Sequence, residues 1–210
     1  MDAALEAGAD LVGLVFFPPS PRNLSLDEGA KLAARARGHA LVVALTVDPD
    51  DALLDSIMAR VAPDMLQLHG KESPARVSAI RKRTGVPVMK ALPVAAAEDL
   101  DIAAAYAAVA DRLLFDARPP RDATRPGGHG STFDWTLLAG VERTRPMMLS
   151  GGLDPDNVAS AIHTVRPDAV DVSSGVEKSP GVKDPGKIFA FVANARAASD
   201  AVSLIAEKAS

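Results

Sequence analysis

Two stretches decide the fold: Pro146-Met-Met-Leu-Ser-Gly-Gly-Leu-Asp-Pro-Asp-Asn-Val158 and, one helical pattern later, Ala169-Val-Asp-Val-Ser-Ser-Gly-Val-Glu177. Each is a short apolar run that ends in small residues, and the helix-sized segment between them makes the pair a βαβ unit. Ser150, Gly151 and Gly152 close the first run; Ser173, Ser174 and Gly175 close the second. Small residues at the carboxyl ends of parallel strands let main-chain N–H groups approach a ligand, and a helix start beyond them adds a positive dipole end. Taken singly, each Gly or Ser turn reads equally well as a tight turn. Two side by side point to a phosphate site, which parallel barrels commonly place after their last two strands.

The same strand, loop and helix order runs back through the whole chain. Residues 2 to 7 read as the last turns of a helix capped at Gly8, and Asp10 to Phe17 as a buried strand stopped by Pro18 and Pro19. Ser25 with Glu28 is a capping box for a helix to Arg37 that ends at Gly38. Strands follow at Ala40–Val47, Met65–Leu68, Val86–Leu92 and Arg112–Phe115, with helices to about Arg60, from Ser73 to Thr84, and over an alanine-rich stretch from about Ala97 to Ala110. Ala117 to Ser131 is a long polar loop that leads to a short helix at Phe133-Asp134-Trp135. A helix from about Asp184 to Ala197 closes the pattern, with a frayed helical tail to Ser210. This alternation predicts a parallel sheet covered by helices, open or closed into a barrel. Seven strands are counted after an initial helix remnant, so an eighth is expected to precede Met1, and 1–210 is expected to be one N-terminally truncated domain.

Composition narrows the function. With 210 residues and 48% hydrophobic content the chain can bury one sizeable core. A formal net charge of -4 gives no basic footprint for nucleic acid or an anionic membrane. No apolar run approaches the roughly 20 residues that span a bilayer, and the start lacks a signal-peptide pattern, so the expected location is the cytoplasm. The chain contains no cysteine, which excludes disulfides, thiolate zinc and a thiol nucleophile.

In a parallel barrel the loops after the strands build the site, which groups Arg22, Gln67, His69, Asp116 and Asp171 with the small-residue turns. Asp116 follows Leu113-Leu-Phe115 at the edge of an apolar interior, where desolvation favours a general acid; a cap on the following loop is the alternative. Arg22 suits bidentate capture of a carboxylate, or is a solvated loop arginine. His69 shuttles protons, orients a ligand or is structural. Gln67 points inward by alternation with Leu66 and Leu68, as a site residue or a polar filler. Asp171 lies one side chain below the second turn and points inward or pairs with a neighbour. No His, Asp or Glu spacing suggests a metal.

Six ordered motifs resemble phosphoribosylanthranilate isomerases of tryptophan biosynthesis: Gly13-Leu-Val-Phe-Phe-Pro-Pro-Ser-Pro-Arg-Asn23, Leu66-Gln-Leu-His-Gly70, Leu114-Phe-Asp-Ala117, Gly127-Gly-His-Gly-Ser-Thr-Phe-Asp-Trp135, and the two turns, Leu149-Ser-Gly-Gly-Leu-Asp-Pro-Asp-Asn-Val158 and Val170-Asp-Val-Ser-Ser-Gly-Val-Glu177. The resemblance runs from Met1 to about Phe191. It implies a (βα)8 TIM barrel, here without its first strand, that converts N-(5-phosphoribosyl)anthranilate to 1-(2-carboxyphenylamino)-1-deoxyribulose 5-phosphate by an Amadori rearrangement without a cofactor. It implies Asp116 as the general acid that opens the sugar ring to a Schiff base. It further implies phosphate binding by Gly151, Gly152, Ser173, Ser174 and Gly175, Arg22 facing the anthranilate part, and a covering loop at Gly127 to Gly130. One departure accompanies it. The family's general base is a cysteine in a Lys-Ile-Cys-Gly first strand, and this chain has neither, so impaired turnover is expected.

Two further readings stay open. Another phosphosugar barrel, such as an epimerase or aldolase-like enzyme, would share the phosphate turns, although a metal-dependent epimerase would need a His and Asp cluster that the strand ends lack. A noncatalytic phosphosugar-binding barrel would need no base. Oligomeric state is not legible.

Overall fold

Seven parallel strands in sequential order, β1 (Leu11–Phe16), β2 (Leu41–Thr46), β3 (Met65–Leu68), β4 (Val88–Val94), β5 (Arg112–Ala117), β6 (Met147–Leu149) and β7 (Ala169–Val170), form one curled sheet. A computed structural model of the protein describes residues 1–118 and 132–209, side chains only to 202. The covering loop expected at Gly127 to Gly130 lies outside the described residues. Helices α1 (Asp2–Glu6), α2 (Leu26–Ala36), α3 (Asp51–Arg60), α4 (Pro74–Thr84), α5 (Ala103–Ala107), α6 (Val158–Val165) and α7 (Pro185–Ala209) separate and cover the strands. Among the described residues β1 pairs with no strand but β2 and β7 with none but β6, so the first and last strands of the sheet are not paired with each other.

Local chemistry explains most of the boundaries. Ser25 and Glu28 form the reciprocal capping box of α2. Ser73 caps α4, Pro74 occupies its first turn, and Gly85 ends it in the left-handed conformation at φ 71°.

Alternation along the strands gives the sheet two apolar faces. One face sends Val12, Leu14, Phe16, Val42, Ala44, Leu66, Leu68, Val88, Leu92, Leu113 and Phe115 against the helices. The other gathers Val43, Met65, Met89, Ala91, Leu114 and Met148, flanked by Leu11 and Ala169, into the interior of the curl. Each Val, Leu, Met or Phe among them contributes about 1.5–3 kcal/mol when fully buried. The inward set ends at the carboxyl edge of the sheet in Gln67, Asp116 and Ser150, where polar groups replace apolar ones.

Four details differ from the sequence expectation. The alanine-rich segment is not one helix: a 3-10 turn at Ala97–Leu100, its start capped by the Asp99 carboxylate accepting from Ala95 N and Ala96 N, precedes α5. β4 runs through Pro93 to Val94; β3 pairs with it only as far as Lys90, so beyond that point β4 is one-sided and tolerates proline. The short segment before β6 is a 3-10 helix, Trp135–Gly140. Between β7 and α7 an antiparallel pair, β8 (Glu177–Ser179) and β9 (Val182–Lys183), forms an unforeseen hairpin.

Candidate active site

β3 and β5 carry the acid side. Gln67 and His69 are two residues apart at the end of β3, so the strand pleat puts both on one face. Gln67 Nε2 lies 3.0 Å from His69 Nδ1, and His69 Nε2 lies 3.1 Å from Asp116 Oδ2. With the Gln67 amide donating to Nδ1, the ring carries its proton on Nε2 and donates it to Asp116. Asp116 is within β5, 6% exposed, and faces the interior. One of its oxygens is held by His69, which leaves Oδ1 as the oxygen turned toward the neighbouring turn.

That turn is Ser150-Gly151-Gly152, at the end of β6. Gly151 has φ 88°, and a Cβ placed there would stand 2.3 Å from Ala117 N and 3.0 Å from Asp116 Oδ1. Only glycine allows this backbone to pack against the acid. Ser150 Oγ donates to Asp171 Oδ2 at 2.9 Å, joining the ends of β6 and β7. Burial pushes the Asp171 carboxyl up, the Ser150 hydrogen bond opposes this, and the nearby Asp116 charge adds to it. Asp171 therefore both faces inward and pairs with a neighbour.

The second turn, Ser173-Ser174-Gly175, packs on the first. A Cβ at Gly175 would lie 1.9 Å from Leu153 O, so the second turn touches, through backbone, the residue that follows the first. Ser174–Val176 is a three-residue 3-10 turn, and α6 begins only at Val158. The helix starts anticipated directly beyond both turns are thus replaced by this short turn and by the segment through Asn157. Lys183 Nζ donates to Ser173 O at 2.7 Å. Ser174 and Gly175 line an open cavity of about 410 Å³ together with Asp154, Gly186 and Lys187; Asp116 and His69 are not among its walls.

Arg22, in the loop after β1, is already engaged within the chain. Its Nε and Nη2 each donate to the Glu177 carboxylate at 2.7 Å, a bidentate pair. Glu177 also accepts from Lys183 Nζ at 3.0 Å and from Gly181 N at 3.3 Å. Burial opposes its ionisation, but hydrogen bonds from Arg22 and Lys183 outweigh that and hold the carboxyl at about 2. Sequence reading gave Arg22 a carboxylate partner and missed that Glu177 is one. It also missed Lys90, whose ammonium is buried on the helix side of β4 and bonds Glu72 Oε2 at 2.9 Å and Gly70 O at 2.7 Å. The signal was available, because Lys90 sits in register with outward-facing Val88 and Leu92 and so needs a buried partner.

Among the described residues no cluster of three His, Asp or Glu could hold a metal, and no helix is long and apolar enough to cross a membrane.

Comparison with known proteins gives a consistent result. The family model described as N-(5'phosphoribosyl)anthranilate (PRA) isomerase matches residues 1–194. An N-(5'-phosphoribosyl)anthranilate isomerase of Bradyrhizobium diazoefficiens is 59% identical over 201 residues, 96% of this chain and 90% of that protein. One from Rhodopseudomonas palustris is 62% identical over 196 residues, 93% of this chain and 90% of the relative. The crystal structure of the Thermotoga maritima isomerase superposes with TM-score 0.84 at 37% identity, covering 93% of this chain and 92% of that one. A second structure, holding reduced 1-(o-carboxyphenylamino)-1-deoxyribulose 5-phosphate, superposes with TM-score 0.80 at 34% identity, covering 93% and 91% of the two chains. With its whole sheet and both turns inside the matched region, the chain belongs to the N-(5'-phosphoribosyl)anthranilate isomerase family.

Proposed function

We propose that the chain, as one domain, binds N-(5-phosphoribosyl)anthranilate in the cytoplasm and opens its ribose ring for the Amadori rearrangement of tryptophan biosynthesis. The observation that carries this is the packing of Gly151 against Asp116: a phosphate at the turns and an acid at β5 are adjacent parts of one surface. Main-chain groups of Gly151, Gly152, Ser173, Ser174 and Gly175 hold the phosphate, and the cations Lys183 and Lys187 lie alongside. Arg22 faces the anthranilate carboxylate. Gripping the substrate at both ends places the ribose over Asp116, and orientation lowers the barrier.

Asp116 Oδ1 then delivers a proton to the ring oxygen as the C1–O bond breaks, and the nitrogen lone pair forms the C1=N bond of the Schiff base. His69, oriented by Gln67, donates to Oδ2 and stabilises the carboxylate left behind. Asp171 lies below the sugar position and binds a hydroxyl. Loss of the C2 proton to water converts the protonated Schiff base to an enolamine, and return of a proton to C1 gives the 1-deoxyketone. The chain has no thiol for that step, so its turnover is slow relative to its affinity.

That absence favours a second reading, phosphosugar binding without turnover. Calorimetric titration with the reduced product analogue, paired with a fluorescence assay of substrate consumption, separates the two. Binding with turnover that is lost in Asp116→Asn supports the first; binding with no turnover supports the second; no binding removes both.

A further inference from the structure

We infer that Glu177 is a positioning residue, which fixes Arg22 at a set distance from the phosphate turns so that the site accepts a ligand carrying an aromatic carboxylate as well as a phosphate. The inference rests on the proposed substrate. Its basis is the number of independent ties converging on one side chain. Glu177 leaves the second turn at the start of β8 and is anchored there three ways: Lys183 donates to its carboxylate, Gly181 N donates to Oε2, and Lys187 Nζ donates to its carbonyl at 3.1 Å. Lys183 donates in addition to Ser173 O, inside the turn itself. The carboxylate is thus rigidly part of the phosphate side, and the Arg22 it holds comes from the opposite edge of the sheet, 155 residues away in sequence.

The backbone supports the same link. Gly181, at φ 84°, brings the hairpin tip so near the β1 loop that a Cβ would lie 2.7 Å from Pro21 O. The hairpin therefore seats the loop bearing Arg22 on both main chain and side chain.

Guanidinium geometry gives the pair its use. Arginine has five N–H groups in a planar fork. Glu177 takes the side formed by Nε and Nη2, and the remaining hydrogens include one on each terminal nitrogen, the pair suited to an end-on grip of a second carboxylate. Held this way, Arg22 loses little conformational freedom when a ligand arrives.

The test uses two ligands: the reduced product analogue, which has both ends, and ribose 5-phosphate, which has only one. Calorimetric Kd values are measured for the unaltered chain, Glu177→Gln, Glu177→Asp, Arg22→Ala and the Glu177→Gln/Arg22→Ala double variant. Glu177→Gln weakens the analogue by about 10-fold and ribose 5-phosphate by less than about 2-fold. Glu177→Asp, which keeps the charge but draws Arg22 back by one methylene, does not restore affinity for the analogue. In the Arg22→Ala background Glu177→Gln has no further effect, because its action passes through Arg22. Equal losses for both ligands, full rescue by Asp, or additive losses in the double variant overturn the inference. Should Glu177→Gln fail to fold, Glu177→Asp carries the same comparison. An unaltered chain that binds neither ligand overturns the proposed function, and the inference with it.

Discussion

The acid side and the phosphate side of the mouth are built from different materials. At β3 and β5 the working atoms are side chains in a relay, Gln67 to His69 to Asp116, each oriented by the next. At the ends of β6 and β7 they are backbone, packed so tightly that glycine is required at 151 and 175. The difference teaches where mutation has separable effects. A side-chain relay can lose one proton-transfer group while keeping its shape, and so affects the chemical step. A turn made of main chain cannot be altered without moving the ligand, and so affects binding.

The sharpest way to break this comparison is Asp116→Asn. Loss of a general acid predicts a fall in turnover of about 100-fold or more, with the Kd of the reduced product analogue within about 3-fold and the thermal unfolding curve retained. A loss in binding of the same size would erase the distinction between the two sides.

Ser174→Asp addresses the other half. A carboxylate in the second turn stands beside the bound phosphate, and like-charge repulsion weakens analogue binding by about 30-fold, as read by calorimetry. An unchanged Kd moves the phosphate away from these turns.

Gln67→Leu tests the relay one step back. Without the amide donor at Nδ1 the His69 tautomer is no longer fixed, and turnover falls by about 10-fold with analogue affinity preserved. Equal turnover in this variant reduces Gln67 to a filler of the inward layer.

The smallest effect is expected at Asp171, through stability. Its folded pKa is raised by burial, so its contribution is fully present below the unfolded value near 3.8 and is lost as pH rises through the folded value. Asp171→Asn removes that loss, and raises Tm by about 2–4 °C at pH 7 with little gain at pH 3. Glu177 has the opposite sign: its pKa is lowered from 4.5 to about 2, so its stabilisation is present above 4.5 and fades as pH falls toward 2. A Tm gain for Asp171→Asn that is equal at both pH values would contradict the buried-carboxyl account.

These regions were not equally legible in the sequence. Signals confined to a few residues carried through: Ser25 with Glu28, Pro74 with Gly85, and the pleat that sets Gln67 inward. The parallel sheet followed from strand and helix alternation, and the inward face from its period of two. What sequence reading lost was long-range pairing. Arg22 and Glu177 are each ambiguous alone, and their bond exists only because the sheet curls until its first loop meets the segment after its last strand. The β8 and β9 hairpin was missed because it has two or three residues on each side and no alternating apolar pattern. The alanine-rich segment misled in the other direction: its propensity favours one helix, and the chain forms a 3-10 turn followed by a short helix.

The most direct measurement of the central claim is a crystal structure of this chain with the reduced product analogue. The account predicts the phosphate against Gly151, Gly152 and Ser173 to Gly175, the anthranilate carboxylate on the terminal nitrogens of Arg22, and the hydroxyl derived from the ring oxygen within hydrogen-bond reach of Asp116 Oδ1. A phosphate bound elsewhere, or a hydroxyl out of reach of Asp116, would contradict it.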